Sequence, residues 1–205
     1  MWFYAAIYNQ NGCGVHRVGS ASLDRIDPQS GYLEGNVRWV HKAVNKMKWD
    51  IPHDIFLNFC QQVSKYTTQK NIQTISEESI LIDRWGKNEG PFCKNWKGFK
   101  GITGNYWYSI AKGAKIRGLY FDLDIKEAWD LFIKQNGSCA YSGIPLKLKR
   151  SSRNNDWTAS IDRINPNGSY ELSNICWCHK TINLMKHELP KDQFIDWCIK
   201  VTNFC

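Results

Sequence analysis

The sequence lacks any long run of apolar residues. No run of about 18 uninterrupted apolar residues occurs, which excludes a membrane-spanning helix of ordinary length. The first residues, Met-Trp-Phe-Tyr-Ala-Ala, have neither a charged beginning nor an extended apolar stretch, so we expect no secretory signal. Cysteine, with 8 residues in 205, is too dilute for a disulfide scaffold. These shortages favour a reducing, intracellular setting.

Acidic side chains are scarce in one segment. The whole chain carries 27 Lys and Arg against 19 Asp and Glu, a net charge of +8. Residues 84–117, the basic segment, hold 8 basic residues and one acid, Glu89, with Trp and Tyr interleaved. This combination is typical of a surface that follows nucleic-acid phosphates, although a solvated face that only confers solubility has the same composition. The cations predicted to contact DNA here are Lys94, Lys97, Lys100, Lys112, Lys115 and Arg117.

An internal repeat organises the chain. Residues 20–63 align with residues 158–201 at a constant offset of 138, without a gap and with 19 identities in 44 positions. Upstream, Gln10-Asn11-Gly12-Cys13 parallels Gln135-Asn136-Gly137-Ser138-Cys139 at a shorter spacing. The chain therefore contains a duplicated module whose first copy is trimmed.

Each copy predicts a strand, a loop, a second strand and a helix, which together make a ββα unit. Trp39 and Trp177 are predicted core residues at matching positions of the second strand. Apolar spacing predicts further helices over 106–117 and from Asp124 onward. The strands are predicted at 21–26, 36–40, 159–164 and 174–178, and a tight hairpin at 139–146.

We expect an α+β protein with two ββα units joined by a helical, basic middle region. The predicted boundaries are 1–63 for the first, trimmed unit, 64–94 for a polar linker, 95–157 for the basic DNA-contacting region and hairpin, and 158–205 for the second unit.

The repeat carries residues suited to phosphodiester chemistry. Each copy has an Asp at the end of its first strand, an Asn twelve residues later and another Asn nine beyond that. Carboxylate and amide oxygens suit hard metals such as Mg²⁺. Lys48 and Lys186 follow one turn later on the predicted helix, close to any bound phosphate.

This pattern, Asp-Arg, then Tyr, then Asn, then Asn-x-x-Lys, resembles the HNH, or ββα-metal, endonucleases, especially small phage-type and homing-like members. The resemblance covers roughly residues 95–201 and 20–63. It implies two ββα-metal units and Mg²⁺ or Mn²⁺ as cofactor. The implied metal ligands are Asp162 and Asn183, with Asp24 and Asn45 repeating them, and the implied loop-fixing residues are Asn174 and Asn36. A bland alternative is that the last two merely cap a turn.

Arg25 and Arg163 stand where the family has its general-base His. Arginine stays protonated and cannot accept a proton from water. Three explanations are open: His41 and His179 act as the base from the helix, where they lie one turn before the second Asn; metal-bound water deprotonates while the Arg clamps phosphate; or catalysis is lost and only DNA binding remains. The two His side chains are equally well explained as solvated helix residues.

A structural zinc is not expected. No Cys-x-x-Cys pair occurs, Cys176 and Cys178 are two apart on a strand, and Cys13-x-x-His16 is isolated. The sequence thus predicts a metal-dependent DNA endonuclease that acts on double-stranded DNA. A monomer working as a pseudo-dimer is favoured over a homodimer, with no membrane association, in the cytoplasm of a phage-infected or prokaryotic cell. The alternative is a non-cleaving DNA-binding protein on a degenerate HNH scaffold.

Overall fold

Each copy of the repeat begins with an antiparallel pair of short strands. In the computed structural model, which describes residues 20–69, 97–148 and 157–204, β1 (Ala21–Arg25) pairs with β2 (Val37–His41). β6 (Ala159–Arg163) pairs with β8 (Ile175–His179) in the equivalent register. All four strands match the predicted positions to within one residue. Each pair brings the Asp-Arg end of its first strand opposite the start of its second.

Two helices follow each strand pair. α1 (Lys42–Lys48) and α5 (Lys180–Lys186) start directly after the second strand, and α2 (His53–Gln69) and α6 (Lys191–Asn203) come next. Each of the last two begins immediately after a proline, whose fixed φ is compatible with a helix start. The helix α2 runs to Gln69, so the first six residues of the predicted linker, 64–69, are helical. The rest of that linker, from residue 70, lies outside the described residues.

The middle region supplies two more helices and three very short strands. The hairpin of β3 (Gly98–Phe99) and β4 (Ile102–Thr103) leads into α3 (Gly104–Ile116), where the Thr103 hydroxyl accepts a hydrogen bond from the backbone N–H of Tyr106. The predicted start of the next helix is confirmed, because Asp124 caps α4 (Ile125–Lys134) through the N–H of Lys126. Between them, β5 (Phe121–Asp122) pairs in parallel with β7 (Tyr170–Glu171) of the second repeat.

The described chain is therefore a mixture of helices and small two-stranded sheets, which confirms the α+β class. The middle region covers the strands of the second repeat. The strand β5 pairs with β7 in the loop of that repeat, and α4 packs on β8. The first repeat has no such cover among the described residues.

The two matching tryptophans differ in burial as a result. Trp177 is fully buried, its indole N–H donates to the Ala128 carbonyl at 2.7 Å, and the Gln135 amide bonds both its backbone N–H and its C=O. Trp39 is 64% exposed, so the prediction that it is a core residue is wrong. The reason is that α4 and the turn after it cover β8, whereas the corresponding face of β2 stays open.

The two repeats pack on each other through their last helices. α2 lies against α6, and the equivalent cysteines Cys60 and Cys198 are both fully buried there. α1 also contacts α5. We call this contact the repeat interface. Because it joins equivalent elements of two copies, it has the form of a two-fold dimer contact within one chain.

None of the described helices is both long enough and apolar enough to cross a membrane.

Candidate functional site

The carboxylate of the first candidate metal ligand, Asp24, is hydrogen-bonded by cationic side chains. It is the penultimate residue of β1 and is only 2% exposed. The Lys48 ammonium donates to Asp24 Oδ1 at 3.0 Å and to the Arg25 carbonyl at 2.6 Å. Arg38 donates to Asp24 Oδ2 through Nε at 3.0 Å and Nη2 at 2.9 Å. Both carboxylate oxygens therefore already have charged donors.

The second repeat repeats the lysine contact with a different second donor. The Lys186 ammonium lies 3.3 Å from Asp162 Oδ1 and 3.2 Å from Oδ2, and it donates to the Arg163 carbonyl at 2.8 Å. The Tyr141 hydroxyl donates to Asp162 Oδ2 at 2.6 Å. Burial raises the pKa of the Asp162 carboxyl, and Lys186 and Tyr141 oppose that rise. The ammonium occupies the place beside the carboxylate that a divalent cation needs.

Asn45 and Asn183 tie the helix to the strand. The Asn45 amide nitrogen donates to Ser22 Oγ at 2.8 Å and to the Leu23 carbonyl at 3.0 Å. The Asn183 amide makes the same bonds, to Ser160 Oγ at 2.8 Å and to the backbone one residue further on. The structure thus brings each Asn to the same strand as its Asp, but it uses the amide nitrogen for packing α1 on β1 and α5 on β6.

The Arg that follows each Asp points into the loop. Arg25 donates to the carbonyls of Pro28 and Ser30 and forms an ion pair with Asp50 at 3.0 Å. Arg163 donates to the Pro166 carbonyl and, at 2.7 Å, to the Gly168 carbonyl. A guanidinium bound in this way supports the loop backbone. The backbone carbonyl of each Arg accepts a hydrogen bond from the buried lysine of the same repeat.

Asn36 and Asn174 hold the same loops from the other side. The Asn174 side chain accepts from the N–H of Asn165 at 2.9 Å and donates to the carbonyls of Asn165 and Ser169. Asn36 makes the three equivalent bonds with Asp27 and Gly31. A side chain that bonds three backbone groups fixes the course of the loop, which is more than capping a single turn.

His41 and His179 lie at the junction of strand and helix, one residue before the helix starts. The Nδ1 atom of His41 accepts from the N–H of Ala43 at 3.1 Å, and that of His179 accepts from the N–H of Thr181 at 3.2 Å. Each Nδ1 is therefore unprotonated and occupied, and the proton of the neutral ring is on Nε2. Burial lowers the pKa of both rings. In this tautomer neither ring has a lone pair left to take a proton from water.

Three further residues of this site were not predicted. Arg38 and Tyr141 hold the Asp carboxylates, and the His53 ring contacts Arg38, with Nδ1 2.7 Å from Nη2. Arg38 corresponds to Cys176 in the second repeat, where Tyr141 from the preceding hairpin supplies the second donor instead. This difference between the copies was the available sequence signal.

The predicted DNA-contacting cations differ in exposure. Lys48 and Lys186 are 1% and 0% exposed, and in this fold their ammonium groups form ion pairs with the buried carboxylates of Asp24 and Asp162. Lys112 and Lys115 lie exposed on α3, on the same face as Tyr108, which is 60% exposed. Lys94 lies outside the described residues.

Two of the other predicted cations, Arg117 and Lys100, lie beside aromatic rings. Arg117, directly after α3, donates from Nη2 to the Tyr170 hydroxyl at 3.0 Å. Lys100 stands in the β3–β4 turn with its ammonium 5.9 Å from the centre of the Phe99 ring. Lys97 is exposed at the start of that hairpin. The cations that are exposed on one helix face are thus Lys112 and Lys115.

The candidate metal centres do not fit Mg²⁺ while the lysines are in place. The described residues also contain no group of three or more His, Cys, Asp or Glu side chains that suits a metal ion. The oxygens around each ammonium are hard donors, but they hold a lysine.

Comparisons of the chain with protein-family models, with curated proteins and with solved structures find no match.

Proposed function

We propose that this chain is a double-stranded-DNA-binding protein, built on two HNH-like ββα units that act as a pseudo-dimer. The observation that carries the proposal is the exposed face of α3, where Tyr108, Lys112 and Lys115 lie together. Ammonium groups beside an aromatic ring suit the phosphates and sugars of a duplex. The excess of cations around this helix adds a long-range attraction for a polyanion.

The buried lysines support binding without cleavage. In an HNH-like unit the Asp at the end of the first strand would hold the metal. In both repeats a lysine from the first helix forms an ion pair with this Asp and neutralises its charge instead. The Arg that replaces the family's base and the two His rings are likewise committed to backbone groups. The motif residues of both copies therefore have roles in the fold, which leaves the outer surface for DNA.

Metal-dependent cleavage, the other function that the resemblance implies, is a second proposal. Its support is the set of oxygens around Lys186 Nζ, namely the Asp162 carboxylate and the Arg163 carbonyl, which are ligands of the kind Mg²⁺ prefers. Cleavage requires Lys186 to leave this set so that a divalent ion can enter.

One pair of assays separates the two proposals. Fluorescence anisotropy with a labelled duplex measures binding, and supercoiled plasmid incubated with Mg²⁺ or Mn²⁺, with and without chelator, measures cleavage. We expect saturable, salt-sensitive binding and no metal-dependent nicking. Nicking that chelator stops, and that Asp162→Asn removes while Asp196→Asn does not, would establish the endonuclease instead. Absence of duplex binding at low salt would exclude both.

A further inference from the structure

A cavity of about 310 Å³ opens at one side of the repeat interface, beside the His179 ring. This volume is at the lower end of the roughly 300–1,000 Å³ that small-molecule sites span. None of the described side chains that line it is an acid, a lysine or an arginine. The lining residues are Ile55, Asn58, Phe59, Gln62, Ile144 and His179.

At the other side of the repeat interface, the positions equivalent to two lining residues carry different side chains. Phe59 on α2 corresponds to Trp197 on α6, and Gln62 corresponds to Lys200. On the second side the Trp197 ring stacks on His41, and the Lys200 ammonium lies 5.1 Å from the centre of the Trp197 ring. The second side thus has a larger ring in place of Phe59, and in place of Gln62 a lysine that pairs with Asp196.

The cavity combines apolar walls with a hydrogen-bond acceptor and a donor. Phe59 packs against the His179 ring at 4.9 Å between centres, and the two isoleucines add aliphatic surface. The Oε1 atom of Gln62 is buried and has no hydrogen-bond partner among the described residues, while its amide nitrogen donates to Asn58. The His179 ring, whose Nδ1 accepts from the Thr181 N–H, has its proton on Nε2 as a donor.

A ligand for this cavity needs flat apolar faces and both a donor and an acceptor on its edge. The donor satisfies Gln62 Oε1, which is otherwise a buried acceptor without a hydrogen-bond partner among the described residues and therefore destabilising. No cation lines the walls in the part of the chain that the structure describes, so a carboxylate or phosphate inside the cavity meets no counter-charge there. Neutral heteroaromatic rings of the nucleobase class meet these requirements.

We propose that this cavity binds a nucleobase, either of a free nucleoside or of an unpaired position in a nucleic acid. The base packs on Phe59 and the isoleucines, donates to Gln62 and accepts from His179. This site is separate from the exposed face of α3, and binding of a free nucleoside does not depend on the proposed DNA-binding function.

The test uses the full chain and the fluorescent nucleoside 2-aminopurine riboside. We expect saturable binding by the wild-type protein and an affinity at least about tenfold weaker in Phe59→Trp, because the larger indole reduces the space that the cavity leaves for a ligand. Trp197→Phe, the reciprocal change, is the matched control and keeps the affinity. Equal affinity of Phe59→Trp and wild type, or no saturable binding up to about 1 mM, overturns the proposal.

A second variant guards against misfolding of Phe59→Trp, and two DNA probes identify the source of the base. Gln62→Lys introduces the residue that the second repeat has at the equivalent position, and we expect it to weaken nucleoside binding as well. An unchanged affinity in a folded Gln62→Lys protein overturns the proposal. The probes are one duplex with 2-aminopurine opposite an abasic site and one with the base paired. A Phe59→Trp effect on the unpaired probe and the nucleoside assigns a nucleic-acid source, and an effect on the nucleoside alone assigns a free ligand. Duplex binding measured by anisotropy on the same samples tests the proposed function independently.

Discussion

The His41 ring of the first repeat stacks on the Trp197 ring of the second, with 4.4 Å between centres and 29° between planes. The equivalent residues make the reciprocal contact, because His179 packs on Phe59 at 4.9 Å. Contacts that exchange in this way are the mark of an isologous interface. Each His therefore has two tasks: it caps its own helix through Nδ1 and joins its repeat to the other through its ring face.

The first prediction concerns the pH dependence of stability. Burial lowers the pKa of His41 and His179 below the ordinary 6.5, so the unfolded chain binds more protons than the folded one just below that pH. The contribution of the neutral rings to the free energy of unfolding is complete above about pH 7. It is lost as the pH falls from 6.5 through the pKa values of the folded protein. We expect the free energy of unfolding, measured by urea titration between pH 7.5 and pH 5, to fall accordingly.

The controls for this prediction replace each His by a cap that does not titrate. Asn is a good N-cap residue, so His41→Asn and His179→Asn keep an acceptor for the helix N–H while removing the imidazole. Each variant should show a shallower loss of stability toward pH 5, whatever its stability at pH 7.5. The slope that remains includes His53, whose pKa burial and Arg38 also lower. An undiminished slope in the double variant would assign the titration elsewhere.

The second prediction concerns the buried pair of Lys186 and Asp162. Removing one partner of a buried ion pair leaves an uncompensated charge, so we expect Lys186→Met to cost about 3–5 kcal/mol in the free energy of unfolding. Combining it with Asp162→Asn should restore part of this loss, since the carboxylate no longer needs a cation. Chemical denaturation of the four proteins in the double-mutant cycle gives the coupling energy.

The exposed pair of Lys200 and Asp196 is the matched control for the same cycle. Its side chains are about half exposed and meet at 2.7 Å as an i, i+4 pair. Surface pairs of this kind contribute little, so Lys200→Met should change stability far less than Lys186→Met. Equal losses in the two variants would show that Lys186 does not neutralise a buried charge.

The repeat made much of the fold predictable from the sequence. The offset of 138 fixes which elements recur, and residues with short-range roles follow from their type, such as Asp124 at a helix start. Burial was predictable only where both copies share their surroundings. Trp39 and Trp177 occupy equivalent positions of the repeat but differ in exposure, because the helix that covers Trp177, α4, lies outside the repeat.

The partners of the charged motif residues were not predictable in the same way. Lys186 follows Asn183 in the sequence as a phosphate-binding lysine would, but its side chain reaches back to a strand 24 residues earlier. Nothing in the spacing distinguishes an ammonium that faces solvent from one that neutralises Asp162. The choice depends on how closely α5 packs on β6, which is a tertiary property.

The third prediction concerns the loop held by Asn174. Since its side chain makes three hydrogen bonds with backbone groups, Asn174→Ala should destabilise the protein by about 1–3 kcal/mol, as measured by thermal and chemical denaturation. Gly168→Ala tests the same contact from the other side, because an added Cβ would lie 2.5 Å from the Asn174 amide nitrogen. Asn105→Ala, at an exposed position of α3, is the control and should be close to neutral. Retained stability in both loop variants would contradict the role given to Asn174.

The fourth prediction concerns the exposed cations of α3. Every phosphate that the protein no longer neutralises should reduce the salt dependence of log K by about 0.9. Lys112→Gln/Lys115→Gln should therefore flatten the slope by up to about 1.8 and weaken binding similarly for unrelated duplex sequences. Anisotropy titrations at several salt concentrations measure both effects. Tyr108→Ala should weaken binding with little change of slope, because an aromatic ring carries no charge.

The matched control removes the same charge from other helices. Lys65→Gln/Lys134→Gln takes two exposed cations from α2 and α4, so the net charge falls by the same amount as in the α3 variant. If α3 contacts the duplex, the control keeps most of the wild-type slope, since only the long-range attraction is weakened. Equal slopes in the two double variants would mean that the protein attracts DNA by net charge alone, and the face of Tyr108, Lys112 and Lys115 would then be a solvated surface.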